Sequence, residues 1–159
     1  MSTEAELNSL LDKLQRDENN DYDLDYWDYE NPNPYQWAIS LRGPNDSPYE
    51  GGYFLAKIIF PKDYPNSRPE FYFKTKIYHC NVSPSDGRCC FGSFKGKTID
   101  EALDCFCTFF SSQNPNSSLN SEAAQEHKNG TFYNTARKWT DQYAKLDNFT
   151  ENSPSNYPN

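Results

Sequence analysis

The chain is short of the aliphatic residues that usually build a core. Apolar residues make up 35% of its 159 positions, yet aromatics reach 16%, with 12 Tyr and 11 Phe. Large rings each bury a great deal of surface, so the composition points to a folded chain with an aromatic core rather than a disordered one. The length suits one domain. Positive charge is also scarce: 15 Lys and Arg stand against 23 Asp and Glu, a net charge of −8. That argues against nucleic acid or an anionic membrane as a partner, because both attract a basic surface. No apolar run approaches the roughly 20 residues that a bilayer span needs. The opening Met1-Ser2-Thr3-Glu4 is polar and acidic, unlike a signal peptide. Five cysteines, at 80, 89, 90, 105 and 107, make an odd number. Without a secretory signal they read as thiols in a reduced compartment, cytoplasmic or nuclear. Asn-x-Ser/Thr triplets such as those at Asn81, Asn116 and Asn148 are taken as chance matches in an Asn-rich chain.

Periodicity supplies the elements. Leu7, Leu10, Leu11 and Leu14 recur at helical spacing, predicting an amphipathic first helix capped by Ser2 or Thr3. Tyr22, Leu24 and Tyr26 alternate with acids, as in a solvated edge strand. Residues 35–41, 53–60 and 70–75 predict three more strands, rich in aromatic and β-branched side chains. Their short connections favour an antiparallel meander, since parallel neighbours need long crossovers. Residues 76–97 lack any period and hold three cysteines, the kind of long loop that is usually functional or disordered. A second helix starts near Thr98 and carries Ile99, Leu103, Phe106 and Phe110. Residues 113–120 break it. A short helix from Ser121 to Lys128 stops at Asn129-Gly130, and Phe132, Ala136, Trp139 and Tyr143 mark the last. The result is an α+β domain over residues 1–146, with a flexible polar tail at 147–159.

Several segments are similar, in order, to those of one family. Arg42-Gly43-Pro44-Asn45-Asp46-Ser47-Pro48-Tyr49-Glu50-Gly51-Gly52 resembles the first hairpin of ubiquitin-conjugating enzymes, and Phe60-Pro61-Lys62-Asp63-Tyr64-Pro65 the turn before their fourth strand. Ile77-Tyr78-His79-Cys80-Asn81-Val82 resembles the Tyr-His-Pro-Asn-Ile segment, and Gly87-Arg88-Cys89-Cys90-Phe91 the Gly-x-Ile-Cys-Leu segment. Asn114-Pro115 and Ala136-Arg137-Lys138-Trp139-Thr140 match later helices, so the likeness runs from about residue 5 to 146. It implies the family's fold: a four-stranded antiparallel meander, an N-terminal helix and three C-terminal helices.

The resemblance also implies acyl transfer. A cysteine accepts the C-terminal acyl group of ubiquitin or a ubiquitin-like protein from an activating enzyme, then passes it to a lysine or a ligase. A thiolate suits this work because it is a strong nucleophile and its thioester stays reactive toward amines. The family's nucleophile is the third residue after the glycine, which is Cys90; Cys89 falls at a buried aliphatic position, where a thiol acts as a small hydrophobe. Asn81 takes the place of the asparagine that stabilises the oxyanion, or supports the loop by hydrogen bonds. His79 is a loop anchor rather than a general base. Ser117 would gate the incoming lysine, and Tyr78 would wall its channel. No cofactor is implied.

Four departures stand out. Cys80 replaces the family's proline, which is expected to loosen the turn and place Asn81 less rigidly. Only eight residues separate Cys90 from Ile99, where relatives have a longer stretch with a Trp-Ser-Pro segment; with Asn66 and Ser67 in place of an exposed phenylalanine and its neighbour, the ligase is expected not to be a typical RING type. Phe91-Gly92 follows the nucleophile in place of Leu-Asp, and Asp104 stands where an apolar residue usually holds ubiquitin, a costly place for a carboxylate unless it is solvated. The first helix sets Glu4, Glu6 and Asp12 against Lys13 and Arg16, where relatives dock the activating enzyme on a more basic helix. The alternative reading is therefore a catalytically impaired binding module or scaffold in ubiquitin signalling. A zinc site from His79 and the cysteines is set aside, because Cys105 and Cys107 point to nearly opposite sides of a helix. The adjacent Cys89 could also resolve an oxidised Cys90.

Overall fold

The computed structural model describes residues 3–18, 22–90 and 98–145. Helix α1 (Thr3–Gln15) buries Leu7 and Leu11 and leaves its acids outside. Four strands follow: β1 (Tyr22–Tyr26), β2 (Gln36–Arg42), β3 (Tyr53–Ile59) and β4 (Glu70–Phe73). They pair in chain order, all antiparallel, with Ile39 opposite Ala56 and Ala56 opposite Phe73. The meander and its four helices are those expected. Alternate residues point to one face, where Leu24, Trp37, Ile39, Leu41, Phe54, Ala56, Ile58, Phe71 and Phe73 are buried.

Helix α2 (Ile99–Cys107) lies on that face. Phe106 stacks on Phe71 at 4.7 Å between centroids and sits 5.3 Å from Phe73. The rings thus take the place of the missing aliphatic residues. The expected second helix is cut short. Phe110 lies in a 3-10 turn (Phe109–Ser111), from which it packs on Phe54 at 5.2 Å and Tyr49 at 5.5 Å. Strand β4 also ends two residues early, because the N–H groups of Lys74 and Thr75 both turn to the carbonyl of Leu55.

Helix α3 (Ser121–Asn129) is capped by the Asn120 side chain at the Ala123 N–H and closed by Gly130 at φ +85°, a conformation that favours glycine. Helix α4 (Phe132–Tyr143) returns to the sheet, where the Tyr53 N–H donates to the Ala144 carbonyl at 2.8 Å. Arg137 on α4 also donates to the Glu50 carbonyl in the β2–β3 turn. The expected Ser2 cap, the Phe91-Gly92 pair, the shortened stretch behind Cys90 and the polar tail lie outside the described residues. No helix among the described residues is long and apolar enough to cross a membrane.

Candidate active site

Residues 76–90 carry the site, and their lack of period conceals a hydrogen-bonded frame. Gly87, at φ +79°, closes a turn by donating its N–H to the Ser83 carbonyl at 2.9 Å. The chain then runs beside β4: the Phe73 N–H donates to the Gly87 carbonyl at 2.8 Å and the Cys89 N–H to the Phe71 carbonyl at 3.0 Å. On its other side Cys89 bridges Val82. Neighbours on such an extended run point opposite ways. Cys89 therefore faces the core, 9% exposed, and burial holds its thiol well above the ordinary range. Cys90 is half-buried and donates its N–H to the Asn81 carbonyl at 2.9 Å.

Asn81 is 1% exposed and its carboxamide is fully engaged. Nδ2 donates to the carbonyls of Asn114 at 3.0 Å and Ser117 at 3.1 Å, while Oδ1 accepts from the Asn114 N–H at 2.9 Å. The side chain thus binds the 3-10 turn Pro115–Ser117 to the loop before the cysteine. Ser117 joins the site through its backbone and its side chain is exposed.

His79 is buried and stacks on Phe109, with centroids 4.1 Å apart. Its Nδ1 accepts from the Asn81 N–H at 2.9 Å, so Nε2 carries the proton and donates to the Phe109 carbonyl at 2.7 Å. Both nitrogens are occupied by backbone groups. Burial lowers its pKa to about 4, against the opposing hydrogen bond to Phe109, and a neutral ring held this way anchors the loop.

Tyr78 packs between Phe132 and Trp139 of α4, at 5.6 and 5.1 Å, and its hydroxyl donates to Glu126 on α3. Burial and that carboxylate both push its pKa up. Glu126 also accepts from the hydroxyls of Thr131 and Thr135, at 3.0 and 2.8 Å. The Tyr78 hydroxyl, chiefly, lowers the Glu126 pKa. The structure joins His79, Asn81, Cys90 and the Ser117 backbone in one frame, and ties Tyr78 to the two last helices instead.

The expected loosening at Cys80 is offset by a bond that proline could not make. The Cys80 N–H donates to Gln113 Oε1 at 2.9 Å, and the Cys80 carbonyl accepts from Leu119 and Asn120 at 2.8 and 3.2 Å. Gln113 escaped the sequence reading. Its signal is the amide proton released at position 80, which a buried loop must satisfy. Tyr64 escaped as well: its hydroxyl accepts from the Ile99 N–H at 2.7 Å and holds the start of α2. Asp104 is solvent-exposed on α2. With Asp100, Asp17 and Cys107 it adds to the burial that raises the Tyr22 pKa to about 12. Among the described residues, no group of three or more His, Cys, Asp and Glu side chains could hold a metal ion.

The likeness to known proteins spans this whole frame. The family model described as ubiquitin-conjugating enzyme matches residues 3–140. A crystal structure assigned to the ubiquitin conjugating enzymes, from Plasmodium yoelii, is 30% identical with a TM-score of 0.78, covering 91% of this chain and 97% of that one. The E2 domain of a Toxoplasma gondii ubiquitin conjugating enzyme is 28% identical with a TM-score of 0.74, covering 89% of this chain and 98% of that one. With the sheet, the cysteine loop, the first three helices and most of α4 in the matched span, the chain belongs to the ubiquitin-conjugating enzyme family.

Proposed function

We propose that this chain is a working conjugating enzyme whose Cys90 accepts ubiquitin or a ubiquitin-like protein as a thioester and passes it to a lysine or a ligase. One observation carries the reading. Of two adjacent thiols, only Cys90 turns outward, and its backbone is bonded to a rigidly held Asn81. In the first step the Cys90 thiolate attacks the activating enzyme's thioester and displaces that enzyme's thiolate. In the second, a neutral lysine amine attacks the carbonyl, the isopeptide bond forms, the Cys90 thiolate leaves and the amine's surplus proton passes to solvent.

Asn81 supports the loop in this scheme. For Nδ2 to meet the developing oxyanion it must leave a carbonyl, and Ser117 offers the longer of its two bonds. Ser117 would then move with the turn that borders the incoming lysine. Tyr78 would reach that channel only through helices α3 and α4. The acidic first helix supports weak steering toward the activating enzyme, and Asn66 and Ser67 support a ligase other than the typical RING type. The setting would be cytoplasmic or nuclear, in keeping with cysteines that form no disulfide.

The test is incubation with an activating enzyme, ATP and ubiquitin, followed by a non-reducing gel. A thiol-sensitive adduct that survives Cys89→Ala and vanishes in Cys90→Ala is expected. No adduct with any of several activating enzymes and modifiers would favour the binding module instead.

A further inference from the structure

Cys80 carries a backbone proton that the proline of related enzymes would lack, and that proton starts a buried relay. It is donated to Gln113 Oε1 at 2.9 Å; Gln113 Nε2 donates to the Tyr49 hydroxyl at 3.0 Å; that hydroxyl donates to the Tyr78 carbonyl at 2.6 Å. Cys80, Tyr49 and Tyr78 are essentially without solvent contact. Each bond therefore answers a group that water cannot reach. A glutamine suits the position because its carboxamide accepts at one end and donates at the other.

The next residue completes a two-handed grip. Gln113 holds the backbone of Cys80 with its side chain, while the backbone of Asn114 holds the side chain of Asn81. The Asn81 carbonyl in turn receives the Cys90 N–H. An error at position 80 would therefore be passed to Asn81 and then to Cys90.

We infer that Gln113 is a positioning residue for acyl transfer at Cys90, fixing the His79–Cys80 peptide, one residue ahead of Asn81, and so the placement of the Asn81 carboxamide. The inference rests on the thioester reading above. Gln113 takes over the restraint that proline would exert through its ring: one device limits a dihedral angle, the other ties down a proton.

The test combines discharge of the Cys90 thioester to free lysine with amide exchange followed by NMR. Gln113→Met, which keeps the length and loses both polar ends, is expected to slow discharge about tenfold and to speed exchange at the Cys80 amide. Gln113→Glu keeps an acceptor for Cys80 and should recover part of both. Adding Cys80→Pro to Gln113→Met removes the stranded donor and should restore discharge to within about threefold of wild type. A side chain that merely fills space would give no such rescue. The inference is overturned if Gln113→Met leaves Cys80 exchange and the Asn81 side-chain amide signals unmoved, or if the proline double variant folds and discharges no faster than the single one. Should proline at 80 prevent folding, the Met and Glu variants decide. A wild type that never charges would defeat the thioester reading, while the exchange and amide signals would still judge the grip.

Discussion

Asn81 and Asn114 hold each other twice, the Asn114 N–H donating to Oδ1 at 2.9 Å and its carbonyl accepting from Nδ2 at 3.0 Å. With the third bond, to Ser117, one side chain satisfies three backbone groups. Asn81→Ala strands the Asn114 N–H and the Ser117 carbonyl, while the Asn114 carbonyl keeps the Ser117 N–H at 3.3 Å. A loss of about 2–3 kcal/mol is expected, read as a lower urea midpoint at unchanged slope. Asn81→Asp should be at least as harmful, since it sets an anionic acceptor against the Asn114 and Ser117 carbonyls.

His79 makes stability depend on pH. Burial puts its folded-state pKa near 4, below the ordinary 6.5, so in acid the unfolded chain takes up a proton first. The His79 contribution is complete above about pH 6.5 and is lost as pH falls through about 4, at up to roughly 1.4 kcal/mol per pH unit. Chemical denaturation at a series of pH values should show this slope. His79→Gln, although less stable overall, should flatten that part of the curve.

Exposure orders the thiols. Cys80 and Cys89 are buried and Cys90 is half-buried, so a small alkylating reagent should modify Cys90 of the native protein at least about tenfold faster than either. Peptide mapping after brief labelling would read the order. In denaturant the difference should collapse.

Two glycines should respond unequally to alanine. A Cβ on Gly43 would stand 1.8 Å from the Tyr49 carbonyl oxygen, an overlap with backbone that no rotamer relieves. Gly130 has open space around it and only its φ of +85° at stake, worth about 1 kcal/mol. Gly130→Ala should melt slightly early, whereas Gly43→Ala should fail to fold or displace the turn that delivers Tyr49.

The sheet was legible because its signal is local. Alternation in 35–41 and 53–60 needs no knowledge of distant residues, and the strands lie within one residue of those limits. Phe110 misled because its apolar spacing continues that of α2, while the backbone has already tightened into a 3-10 turn to bring the ring to Tyr49 and Phe54. The site was legible in part. The family likeness singled out His79, Asn81 and Cys90, and the frame joins those three. The Gln113 relay was hidden because its partners lie 33 and 64 residues away, a pairing that no periodicity announces. Glu126 was equally silent: it meets Tyr78 across 48 residues.

Those separations impose an order on assembly. The bonds of Asn81 reach forward 33 and 36 residues, beyond Cys90 and the whole of α2. During synthesis the thiol is made before the segment that organises its surroundings. A nascent chain cut short of Ser117 carries the nucleophile without its frame, and loop closure, rather than local structure, limits when the site matures.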